Sequence, residues 1–174
     1  LKTGHETHEV REILQSSPAI LLGVSDSAAT VLKDIGINSV FDLATSRIFE
    51  NATRLLRAGV DPKDAYFRYG APPSDVVTQQ ADDFAIDELR FEDIELLEGM
   101  SPAIATSVRQ SLNVTTIRDL ALWPPYLAAR RLMKDAFFPS ELPEFDPEAP
   151  PDLVPKSGEY PTERVYYDTL VMLG

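Results

Sequence analysis

The stretch GMSPAIATSVRQSLNVTTIRDLALW, Gly99 to Trp123, repeats much of GVSDSAATVLKDIGINSVFDLATS, Gly23 to Ser46, at an interval of 76 or 77 residues. An internal repeat constrains a fold more tightly than composition does, because one supersecondary unit must be used twice. Gly23 aligns with Gly99, Ser25 with Ser101, Ala29 with Ala105 and Leu32 with Val108. After a one-residue insertion, Ile37 aligns with Val114, Val40 with Ile117, and Asp42-Leu43-Ala44 with Asp119-Leu120-Ala121. The match runs on through Ala52 and Ala129, Arg54 and Arg131, and Arg57 and Lys134. Further on, APPSDVV at Ala71 is echoed by APPDLV at Ala149. A collinear series of this length points to duplication.

Each copy reads as helices. Ala28, Val31, Leu32 and Ile35 fall at i, i+3, i+4 and i+7, a one-sided apolar stripe. Ser25 or Asp26 can cap that helix by accepting a bond from an orphan N–H, and Gly36 suits a left-handed stop. A second helix is expected through VFDLA and a third through IFENATRLLRAG, ending at Gly59. In the second copy Ser101 caps and Pro102 takes the first helical position, where a missing N–H costs nothing. Asn113 stands in for Gly36, and a last helix begins at the proline pair of LWPPYLAARRLMKDAFF.

Four segments are expected: a first helical repeat with an N-terminal helix over 1–70, a linker and acidic helix over 71–98, a second repeat over 99–138, and a Pro-rich acidic arm with an apolar C-terminal stretch over 139–174. In the acidic helix, Phe84, Leu89, Ile94 and Leu97 are the packing candidates. Residues 139–161 hold seven prolines, which block helix interiors and central strands, so an extended arm lying on the surface or wrapping a neighbour is expected there. ERVYYDTLVML beyond it could be a strand or the start of a helix. The polar start without Met and the apolar end read as a fragment of a longer protein.

Charge is uneven: net −2 over 1–78, −7 over 79–98, +3 over 99–140 and −6 over 141–174, giving −12 in all. That balance opposes phosphate backbones and anionic membranes everywhere except in the second repeat. No apolar run reaches the roughly 18 residues of a membrane span. The absence of Cys excludes disulfides, thiol nucleophiles and Cys-ligated metals but leaves the compartment open. His5 and His8 in HETHE are spaced three apart and lack a third ligand, so no metal site is expected. Asn51-Ala-Thr53 and Asn113-Val-Thr115 match the glycosylation acceptor pattern without a secretory signal before them. Acidic neighbours such as Asp82–Asp83 and Glu92–Asp93 point to different helix faces. No glycine-rich phosphate loop or nucleophile elbow is present. No catalytic residue, cofactor or enzyme activity is therefore expected within these residues.

The segments LLGVSDSAATVLKDIGINSVFDLA and LEGMSPAIATSVRQSLNVTTIRDLA resemble the helix-hairpin-helix family, over about Ile20–Gly59 and Leu96–Phe138. In that family the hairpin loop reads Gly, apolar, Gly, with an Ala four residues later, and its amides cradle a nucleic-acid phosphate. Gly23 and Gly99 match the first Gly; Ala29 and Ala105 match the Ala. Ser25 and Ser101 replace the second Gly, and Asp26 would repel a phosphate in the first loop. The resemblance thus implies hairpin geometry with weakened phosphate binding. GINSVFDLATSRIFENATRLL also looks like the helical N-terminal region of bacterial Tc-type toxin A subunits and related virulence-plasmid proteins, which would imply a helical shell segment of a large assembly.

The expected fold is all-α, with two helix-hairpin-helix-like repeats and a Pro-rich arm. The expected function is protein–protein interaction or scaffolding inside a larger bacterial protein, with a protein partner or neighbouring domains of the same chain. The alternative is nucleic-acid binding by the second repeat, through the Gly99–Ser101–Pro102 loop and Arg109, Arg118, Arg130, Arg131 and Lys134. A third possibility is an accessory domain whose enzyme lies beyond Gly174.

Overall fold

Short helices make up the described part of the protein, as a computed structural model shows. It describes residues 1–2, 9–61, 67 and 72–137. The expected Pro-rich arm, HETHE and the C-terminal apolar stretch lie outside these residues. Among the described residues all regular structure is helical, and the only sheet-like pairings are two isolated bridges, Val77 with Leu97 and Asp93 with Thr116.

The first repeat opens with α1 (Val10–Gln15) and a 3-10 turn at Pro18–Ile20, then runs through α2 (Asp26–Asp34), α3 (Val40–Ala44) and α4 (Arg47–Ala58). Ser25 is the residue that caps α2, accepting the Ala28 N–H at 3.1 Å. Gly36, at φ +85°, turns the chain out of α2. Ser39 and Asp42 then form a reciprocal capping box that starts α3. The second repeat uses the same devices at matching positions. Ser101 caps α5 (Pro102–Leu112), Asn113 turns at φ +54°, and a Thr116–Asp119 capping box starts α6 (Ile117–Ala121). The last helix is α7 (Pro124–Phe137).

The correspondence reaches further back than the sequence match did. A 3-10 turn at Ile94–Leu96, capped by Asp93, occupies the place of Pro18–Ile20, capped by Ser17. The Val40 N–H bonds to the Ser16 carbonyl and the Ile117 N–H to the Glu92 carbonyl, both at 2.9 Å. Lys2 N–H meets the Ile20 carbonyl as Thr78 N–H meets that of Leu96, each at 2.8 Å.

Residues 79–98 correct one expectation. They form three 3-10 turns, Gln79–Asp83, Leu89–Phe91 and Ile94–Leu96, and not one acidic helix. The amides of Thr78, Ile94, Glu98 and Ile117 and the carbonyls of Val76, Glu92, Leu96 and Thr115 pair across segments. Backbone groups so engaged cannot also form a continuous i→i−4 ladder. Eight carboxylates in the stretch add like-charge repulsion to any helix there. Leu89, Ile94 and Leu97 are buried as expected, whereas Phe84 is exposed.

The two repeats pack reciprocally: α3 of the first on α7 of the second, α4 on α6, and α2 on α5. Equivalent apolar positions supply the core, including Leu32 and Val108, Val40 and Ile117, and Leu43 and Leu120. Where the repeats meet, the Phe49 ring lies 4.9 Å from that of Tyr126, its equivalent position, and 5.7 Å from Trp123. Offset aromatic contacts of this kind add to simple burial in joining the halves.

Candidate interaction surfaces

Gly23 and Gly99 both adopt the left-handed backbone, at φ +89° and +85°, which an L side chain resists. Both glycines are exposed, as are Ser25, Asp26, Ser101 and Pro102 beside them. A Cβ built on Gly23 would lie 3.5 Å from Pro125 at the start of α7; one on Gly99 would lie 3.9 Å from Ile48 at the start of α4. Ile48 and Pro125 are themselves equivalent, so each loop abuts the opposite repeat at the same place.

One amide in each loop is held by the backbone and one in each following helix by a serine cap. Val24 and Met100 donate to the carbonyls of Leu21 and Leu97. Ser25 takes the Ala28 N–H and Ser101 the Ile104 N–H. Ser25 Oγ also shares a 2.9 Å bond with Ser27 Oγ. Pro102 supplies no N–H at all, and Asp26 is exposed in the first turn of α2. The serines that replace the family's second glycine thus close each helix start with their own side chains.

The five candidate cations separate into two groups. Arg109 pairs with Asp93, approaches Glu95 at 3.8 Å, and donates to Thr106 at 3.2 Å, clamping α5 to the turn before it. Arg130 lies at the seam between the repeats: its Nη1 is 2.9 Å from Glu50 Oε2 and 3.1 Å from the Tyr126 hydroxyl. That hydroxyl donates to the same Glu50 oxygen at 3.2 Å. Burial, countered in part by Arg130, pushes the Tyr126 phenol up to about 12. Arg118 and Arg131 are exposed and Lys134 is half-buried, and none of the three pairs with another described residue. The structure therefore does not gather the five into one anion site.

Outward apolar residues were not singled out by the sequence. Phe41 on α3 and Phe137 on α7 are both exposed and meet edge to face, with centroids 6.4 Å apart. Leu127 is exposed on α7, and Leu22 beside the first loop. Periodicity hides such residues, because an offset of one or two residues carries a helix position from the core to the outside, as between buried Tyr126 and exposed Leu127. A shallow groove of about 280 Å³ lies where Gly36 and Ile37 face Asp42, Arg47 and Ile48.

Asn51 of the first acceptor pattern is buried in α4, its amide donated to the Asp75 carbonyl at 3.2 Å. Among the described residues no three His, Cys, Asp or Glu side chains gather as a metal site, and no helix is long and apolar enough to cross a membrane. Comparison with protein-family models, curated proteins and solved structures finds no match for this chain.

Proposed function

We propose that the chain is a non-catalytic helical module for protein–protein interaction or scaffolding within a larger bacterial protein, in which the two repeats hold each other as one body and present their outer helix faces to partners. The carrying observation is that Ser25 and Ser101, which stand at the second loop position, cap their own helices, while Arg109 and Arg130 are drawn into ion pairs within the protein. A phosphate site needs close backbone approach and uncommitted cations; here serine side chains occupy both helix starts, and two of the five candidate cations are already paired. Exposed Phe41, Leu127 and Phe137 are the kind of apolar side chains that a protein partner covers.

The nucleic-acid alternative rests on Arg118, Arg131 and Lys134. Fluorescence anisotropy with single- and double-stranded DNA and RNA is expected to give nothing tighter than about 10⁻⁴ M at ~150 mM salt. Micromolar binding that weakens with salt and is lost in Arg131→Ala, Lys134→Ala would replace the scaffold reading with the nucleic-acid one. In the positive arm, the immobilised chain should retain proteins from a bacterial lysate that the Phe41→Asp, Leu127→Asp variant does not. Equal retention by both would count against these faces.

A further inference from the structure

In the first repeat the chain that follows the third helix returns to cover it. The Arg54 guanidinium on α4 lies 4.8 Å over the ring of Phe67. Asn51 donates to the Asp75 carbonyl at 3.2 Å, and Arg47 faces the Asp75 carboxylate at 3.5 Å. Phe67 and Val76 are buried as a result.

In the second repeat no described residue covers the same helix face. Pro124, Ala128 and Arg131 hold the positions of Arg47, Asn51 and Arg54, and all three are exposed, with Leu127 beside them. Yet the sequence that covers α4 has a counterpart after α7. Phe145 lies 14 residues after Arg131, one more than separates Phe67 from Arg54, and Ala149-Pro150-Pro151 follows Phe145 as Ala71-Pro72-Pro73 follows Phe67. Ser74 then has no counterpart, and Asp152-Leu153-Val154 matches Asp75-Val76-Val77.

We propose that the outer face of α7 is the docking site for the chain's own segment Phe145–Val154, with the Phe145 ring on the Arg131 guanidinium and Leu153 beside Leu127. Reach allows it. Phe145 lies eight residues beyond Phe137, enough for about 25 Å of extended chain. Arg131 lies only about 9 Å back along the helix from Phe137. Charge favours it too: Glu141, Glu144, Asp146, Glu148 and Asp152 belong to the returning chain, and Arg131 and Lys134 to the helix, against one opposing carboxylate on that face, Asp135. Two contacts of the first repeat cannot be copied, since Ala128 has no amide to donate and Pro124 no guanidinium. The backbone pairing that holds Val76–Thr78 to Leu96–Glu98 also has no free counterpart, because Lys2 already occupies the Ile20 carbonyl. Docking on α7 is accordingly weaker than on α4 and sensitive to salt.

The chain has no cysteine, so engineered pairs report without background. Ala128→Cys with Asp152→Cys copies the Asn51–Asp75 neighbourhood and removes a carboxylate whose first-repeat partner, Arg47, is absent here. Under mild oxidant this full-length pair should close an intramolecular disulfide about tenfold faster than Gln110→Cys with Asp152→Cys, whose helical thiol sits on α5, because docking raises the local thiol concentration above that of a free tether. Adding Arg131→Glu and Phe145→Ala should erase the difference while the far-ultraviolet circular dichroism stays unchanged. Equal rates for the two pairs, or disulfides formed only between molecules, would overturn the proposal.

Discussion

Removing Arg130 tests how the two repeats are held together. Its side chain is 14% exposed and that of Glu50 13%, and they are 2.9 Å apart across the seam. Arg130→Met keeps most of the volume but takes the guanidinium from the Glu50 carboxylate, which keeps the Tyr126 hydroxyl as a hydrogen-bond donor across the seam. An uncompensated charge at a site this buried costs about 3 kcal/mol or more. For a chain of this size that loss lowers the melting temperature by roughly 10 °C. The second repeat suggests the rescue, since Leu127 stands where the first has Glu50. Glu50→Leu with Arg130→Met removes both charges, and a buried pair replaced by apolar groups is often neutral or better. The double variant should therefore recover most of the loss, giving a coupling energy of about 2 kcal/mol in a double-mutant cycle. Urea and thermal unfolding followed by circular dichroism measure all four forms. If Arg130→Met costs less than about 0.5 kcal/mol, in the range of exposed pairs, the seam is not held as described here.

Two further outcomes follow from the same structure. The Asp119 carboxyl is held below its ordinary value of 3.8, chiefly by the Thr116 backbone N–H. A carboxyl depressed in the folded state contributes stability that is present above its ordinary value and fades as pH falls through the folded one. Asp119→Asn should thus destabilise the protein at pH 7, by pH-dependent thermal unfolding, and converge with the parent as pH falls through the lowered folded value; Thr116→Ala should cost about 1 kcal/mol as a lost cap. The Tyr126 phenol is raised from 10.0 to about 12. Stability linked to it is complete below pH 10 and declines between pH 10 and 12, so ultraviolet titration should show one of the six tyrosines ionising late, together with unfolding. Tyr126→Phe should remove that late step, and its persistence would refute the assignment.

Short-range features were legible in the residue order. The left-handed stops at Gly36 and Asn113, the caps Ser25 and Ser101, Pro102 at the first helical position and the limits of α4 and α7 each depend on a few neighbouring residues. A capping hydroxyl or a left-handed backbone acts within one turn of itself, so its signal is local. The repeat could be aligned for the same reason. The all-α class follows from these local signals summed along the chain.

The tertiary structure decided the rest. Residues 79–98 carry apolar residues at usable helical spacing, yet they become turns because their backbone groups meet partners from distant segments, Thr115 and Ile117 among them. Arg109, Arg130 and Arg131 look alike as sequence. One clamps a turn, one crosses the seam to Glu50, and one faces outward, because each lies at a different angle around its helix and meets a different neighbour. Gly23 and Gly99 announce a turn but not its neighbours, Pro125 and Ile48, which lie 102 and 51 residues away along the chain and are brought alongside by folding. Sequence determines what each residue can do within a turn of itself, and packing of the two repeats determines which of those capacities remain open to solvent.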